Sequence, residues 1–227
     1  MRHLPYRKYF EQQYFKIAVL CILCIFSIFA DGQTPIADSL KQHIYTARNS
    51  EEKLKAIILY CDEFQSLNRD TVYFYAQEAM RLAKDQQNTL YQKQAELAFA
   101  NAYFVWGWVD STLYFTEKGL ENIYIGNSDF RKLYLKLMRQ KALCYGASSR
   151  FAEALDILHL ILKTAKATGD SATTASALNT IGSIQILLNE PDNALTYILE
   201  AKKFIHSGRE ALLNLANINT NLAYAHF

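Results

Sequence analysis

The sequence predicts an all-α protein: a solenoid of antiparallel helix pairs, in four and a half units of roughly 40–42 residues each, behind an N-terminal signal or anchor segment. Three observations predict it. The 227 residues contain only 8 Gly and 3 Pro, too few for the many turns of an all-β chain. A hydrophobic share of 51% against 20% charged supplies a sizeable core and excludes a disordered chain. Small and apolar residues recur at a fixed long interval, the mark of a repeat architecture.

The N-terminus is set aside first. Arg2, Arg7, Lys8 and Lys16 form a basic region ahead of the uncharged run Ile17 to Ala30, IAVLCILCIFSIFA. This run is shorter than the ~20 apolar residues of a membrane span. Ala30-Asp31-Gly32 supplies a small-x-small cleavage site, so residues 1–32 read as a signal peptide. The alternative is an uncleaved anchor, with Tyr14 and Phe15 extending the apolar segment and residues 17–30 contacting the membrane. Neither Cys21 nor Cys24 follows a small residue, which argues against a lipoprotein cleavage box. The whole chain carries a net charge of +2, but residues 1–32 hold four of its Lys and Arg and two of its Asp and Glu, leaving 20 of each sign. That balance gives no electrostatic footprint for nucleic acid.

Residues 33–50 form a polar lead-in with room for a short helix from Ala37 to Arg48. Residues 51–227 form the repeat domain. Four segments align at a nearly constant interval: DTVYFYAQEAMRLAK from Asp70, DSTLYFTEKGLENIY from Asp110, AEALDILHLILKTAK from Ala152 and DNALTYILEAKKFIH from Asp192. Val72, Thr112, Ala154 and Ala194 are equivalent, as are Ala79, Gly119, Ile161 and Ala201 seven places later. Upstream of the last three segments lies a second helical pattern, in which Ala100, Ala142 and Gly182 share one place and Tyr103, Tyr145 and Gln185 follow at the next turn. Small residues are needed where two helices cross, because a bulky side chain there holds the backbones apart.

These positions resemble the tetratricopeptide pattern, large-x-x-Leu-Gly/Ala-x-x-Tyr, a turn, then Ala-x-x-x-Phe/Tyr-x-x-Ala. Leu178, Ile181, Gly182, Ala194, Ile198 and Ala201 are similar to it, with Gln185 the departure. Met138, Ala142, Tyr145, Phe151, Ala154 and Leu158 fit nearly as well. The unit of Glu96, Ala100, Tyr103, Gly107, Thr112 and Gly119 is weaker, and the unit from about Lys53 to Gln86 is degenerate, with Tyr60 where a small residue belongs. These units are longer than the family's usual period of about 34. The resemblance covers roughly residues 50 to 227 and implies a right-handed superhelix (a TPR-like solenoid). Units of this length are similar to the extracytoplasmic repeats of bacterial, Bacteroidetes-type sensor proteins.

The expected helices are 51–66, 70–86, 89–106, 110–125, 129–146, 151–168, 171–188, 192–206 and 209–227. Asp70, Asp110, Asp170 and Asp192 are their expected N-caps, and Gly107, Gly169 and Gly208 their stops. The last segment, ANINTNLAYAHF, repeats the first-helix pattern, with Leu222 and Ala223 matching Ile181 and Gly182. It predicts either a fragment of a longer protein or a last helix packed on a partner.

No chemistry-bearing motif emerges, and the expectation is a chain without catalytic, cofactor-binding or metal-binding residues. The five histidines lack zinc-ligand spacing. His159, in DILHLIL, reads as packed or half-buried. Cys61 and Cys144 stand two repeats apart, too far to bridge in a solenoid, and read as small core residues. Trp106 and Trp108 flank Gly107 and read as turn packing, with an aromatic platform for a partner as the sharper alternative. In the family the sequence resembles, the first helix of each pair lines the concave side. The resemblance places Gln94, Leu97, Asn101 and Phe104 there, then Lys136, Arg139 and Leu143 with Gly146, then Ser176, Asn179 and Ser183 with Ile186. That set suits an extended protein or peptide partner bearing an acidic group; the family's terminal-carboxylate clamp is only partly present. The expected function is a non-enzymatic protein- or peptide-interaction scaffold exported to the periplasm or the membrane surface. The alternative is the sensory input region of a longer membrane signalling protein, a histidine kinase or a DNA-binding regulator.

Overall fold

The structure is a computed structural model that describes residues 37–63, 69–205 and 218–223. Residues 1–32, and with them the expected signal or anchor segment, lie outside the described residues, as does Gly208. Every regular element among the described residues is an α-helix. The chain divides into two compact units, one ending at Tyr60 and the other beginning at Cys61.

The first unit contains α1 (37–46) and most of α2 (Ser50–Glu63). Leu40 and Ile44, one turn apart, bury one face of α1. The start of α2 is held locally: Asn49 Oδ1 accepts from the Glu52 amide at 2.8 Å, and the Glu52 carboxylate accepts from the Arg48 amide at 2.8 Å. This is close to a capping box, with Glu51 and Glu52 favourably placed at the positive end of the helix dipole. Leu54, Ile57 and Tyr60 are fully buried, so Tyr60 stands in the interior where the repeat pattern asks for a small residue.

The second unit holds α3 (Arg69–Asp85), α4 (Thr89–Val105), α5 (Val109–Leu120), α6 (Ser128–Ala147), α7 (Phe151–Thr168), α8 (Ser171–Leu187), α9 (Pro191–Lys203) and the short described stretch α10 (218–223). From α3 to α9 each helix packs on the next, and α4 with α6, and α6 with α8, touch as well. This consecutive packing is what a solenoid of helix pairs requires. The expected small residues lie in the crossings. Val72, Ala76, Ala79 and Ala83 form a buried stripe along α3. A Cβ on Gly119 of α5 would meet Leu137 Cδ2 of α6 at 2.6 Å, and one on Gly182 of α8 would meet Ile198 Cγ1 of α9 at 2.5 Å. The core continues from helix pair to helix pair. Leu135 and Ala142 pack with Leu158, Ile161 and Ile181. Leu178 packs with Ala194, Ile198, Ala201 and Ile218.

The helix ends differ from expectation in two respects. Asp170 caps α8, accepting from the Thr173 amide at 3.0 Å. Asp70, Asp110 and Asp192 instead lie in the first turns of α3, α5 and α9. Asp110 and Asp192 there act on the dipole rather than as caps; Trp108 and Glu190 occupy the cap positions of α5 and α9 without a side-chain bond. Besides Asn49, two further caps are asparagines: Asn88 accepts from the Tyr91 amide at 3.1 Å and Asn127 from the Asp129 amide at 2.7 Å. The second difference is α5, which stops at Leu120 instead of 125. Glu121 turns extended at ψ 128° and Asn122 takes a left-handed φ of 55°, a conformation asparagine tolerates. Gly107 and Gly169 terminate their helices with φ of 78° and 69°, as a left-handed stop demands.

Candidate peptide-binding groove

The first helices α4, α6 and α8 neighbour one another, which brings the ten expected groove residues onto three adjacent elements. They do not form one open stripe. On α8, Ser176, Asn179 and Ser183 are half-buried and share a face at i, i+3 and i+7. Asn221 of α10 donates from Nδ2 to Asn179 Oδ1 at 2.9 Å and to Ser183 Oγ at 2.7 Å. Ser183 Oγ also donates to the Asn179 carbonyl at 3.0 Å. On α6, Arg139 Nη1 approaches Ser176 Oγ at 3.4 Å, and Leu143 is half-buried. Lys136 Nζ donates to both carboxylate oxygens of Asp62, at 2.8 and 2.7 Å, with side chains 48% and 40% exposed.

On α4 the expectation needs correcting. Leu97 is 7% exposed and Asn101 6%, so neither faces an open surface. Leu97 packs against Leu133 and Leu137 of α6, with Leu90, Leu120 and Ile123 around it. Gln94 and Phe104 are half-buried, and Gln94 Oε1 is buried without a hydrogen-bond partner.

Sequence reasoning missed the buried charge on α4. Glu96 occupies a place where the repeat pattern asks for a large residue, and it is 5% exposed. Lys93 and Lys118 each bring Nζ to 3.6 Å from its carboxylate, and Lys93 also donates to the Lys118 carbonyl. The group thereby ties α4 to α5. The signal available in the sequence was Lys93 and Glu96 at i, i+3 spacing.

Trp106 is half-buried in an aromatic cluster, with ring centroids 5.3 Å from Tyr73, 5.4 Å from Tyr103 and 5.2 Å from Trp108. Tyr103 stacks on Phe115 at 5.3 Å and on Trp108 at 5.7 Å. Turn packing therefore accounts for Trp106, while Trp108 remains 57% exposed. His159 is exposed rather than packed, with the Tyr197 ring 6.5 Å from its own. Cys61 and Cys144 are buried free thiols. Burial pushes Cys61 up to about 12, with the neighbouring Asp62 carboxylate adding to it, and pushes Cys144 up to about 11.

Among the described residues no group of three or more His, Cys, Asp or Glu is placed to hold a metal ion. No helix among them is long and apolar enough to cross a membrane. No protein-family model matches the chain, and no curated protein is similar to it at a significant level.

Proposed function

We propose that this chain is a non-enzymatic interaction scaffold of the tetratricopeptide kind, a right-handed array that holds an extended peptide segment of a protein partner. In this reading residues 1–32 direct export, and the array works in the periplasm or at the membrane surface. The observation that carries the reading is the contact between the first helices α6 and α8, which brings Lys136, Arg139, Ser176, Asn179 and Ser183 onto adjacent elements. Amide and hydroxyl groups pair with the backbone of an extended chain, and the two cations favour an acidic group on it.

The test is peptide selection from a random display library against the whole chain, followed by titration of the selected peptides by calorimetry. The expected result is micromolar binding that falls at least tenfold with R139Q or N179A. Selected peptides whose affinity ignores both substitutions, or a library that yields none, would refute the groove reading.

A further inference from the structure

The first helices are not covered alike. Residues Ala95 to Ala102 of α4 are buried without interruption. Such a run passes more than twice around a helix of about 3.6 residues per turn, so no face of α4 is open over that stretch. On α8, Ser176, Asn179, Thr180 and Ser183 stay half-buried along one side. The candidate surface is thus closed at α4 and more accessible at α8.

One described contact joins the first helices on either side of α4 in the repeat order. Asp62, near the end of α2, reaches Lys136 on α6 across 74 residues of sequence. Its two carboxylate oxygens both lie on Nζ, at 2.8 and 2.7 Å. A bound acidic side chain or terminal carboxylate would adopt this arrangement on the same cation. Arg139, nearly one turn along α6, continues the positive character of that face.

We infer that Asp62 is an internal competitor: it occupies on Lys136 the place that an acidic peptide takes when it binds, and so keeps that cation from the peptide until it is displaced. The inference rests on the peptide-groove reading and adds a regulatory contact to it. The chemistry suits an exchangeable latch. Both partners are close to half exposed, and ion pairs of that kind are weak and screened by salt. An incoming carboxylate then displaces Asp62 at little cost. The ligand class follows from the charge of the released cation: an extended peptide with a carboxylate at this end of the groove.

The test uses hexaglutamate, fluorescein-labelled and C-terminally amidated, titrated into the whole chain by fluorescence anisotropy at low salt, with hexaglutamine as the neutral control. The expected result is that D62N and D62A bind hexaglutamate about two- to fivefold more tightly than the parent chain. K136Q should weaken binding, and adding D62N to K136Q should change nothing further. Circular-dichroism melts of the variants confirm that each remains folded, as exposed positions predict. Equal affinity of the parent, D62N and D62A overturns the latch and leaves the groove standing. Equal binding of hexaglutamate and hexaglutamine overturns the latch as well. If no variant binds hexaglutamate while library peptides bind through Arg139 and Asn179, the latch alone fails; if the library also yields nothing, both readings fall.

Discussion

At the scale of single residues, the two helix-crossing glycines make a sharp comparison. Glycine inside a helix costs roughly 0.5–1 kcal/mol relative to alanine, so G119A and G182A each begin with a gain. The gain must be set against the space. At Gly182 a methyl meets Ile198 Cγ1 at 2.5 Å and the Ala194 carbonyl oxygen at 3.2 Å, and neither is the end of a flexible chain. At Gly119 all three nearest atoms belong to the end of the Leu137 side chain. G182A should therefore destabilise by about 1–3 kcal/mol, as overpacking does, and G119A by less. Urea unfolding of the two variants checks the order. The thiols give a second prediction. Cys61 and Cys144 are buried, with values pushed to about 12 and about 11 from an ordinary 9.0. In the native protein at pH 8, Cys61 and Cys144 should resist iodoacetamide, as peptide mapping of the alkylated sites reads, and both should react once urea unfolds the chain. The sign of the pH dependence follows. Between pH 9 and about 11 the folded thiols keep protons that the unfolded ones release, so their contribution to stability is intact below pH 9 and is lost as pH rises toward the folded values.

At the scale of elements, helix ends separate what is local from what is not. Asp170 bonds the Thr173 amide through Oδ1 and the Thr173 hydroxyl through Oδ2 at 2.7 Å. D170A should cost about 1 kcal/mol, whereas D110A and D192A, at first-turn sites without a cap bond, should cost a few tenths. Thermal melts of the three variants measure the difference. All four aspartates looked alike in sequence, since each precedes a periodic apolar run. What distinguishes them is where the chain enters the helix: Pro191 starts α9 just before Asp192, and the turn at Gly107 lets α5 begin at Val109. The same limit explains α5. Its apolar spacing continues through Ile123, but the chain leaves the helix at Glu121 and Asn122, and Ile123 packs beside Leu97 instead.

At the scale of the molecule, the unit from Cys61 onward is built almost entirely from contacts between successive helices. Stability in such an array is a sum of local terms. I198A removes a fully buried side chain between α8 and α9 and should cost about 2–4 kcal/mol. Its effect should be confined: amide exchange should quicken in α8 and α9 while α3 and α4 keep their protection. Uniform acceleration from α3 to α9 would show that the array unfolds as one cooperative body instead.

The helical class, the long repeat interval and most helix boundaries were legible in the sequence, because small and apolar residues repeat with the period of the element they form. Ala79, Gly119, Gly182 and Ala201 mark the crossings by their spacing alone. Which members of the groove set stand open was not legible. Periodicity says which side chains share a face, but only the arrival of a neighbour decides whether that face is covered. Leu133 and Leu137 of α6 bury Leu97, Asp62 finds Lys136 from 74 residues away, and Glu96 is enclosed with Lys93 and Lys118. Those three outcomes depend on how helices come together, the next helix for Glu96 and more distant ones for Leu97 and Asp62, and that is a property of the tertiary packing.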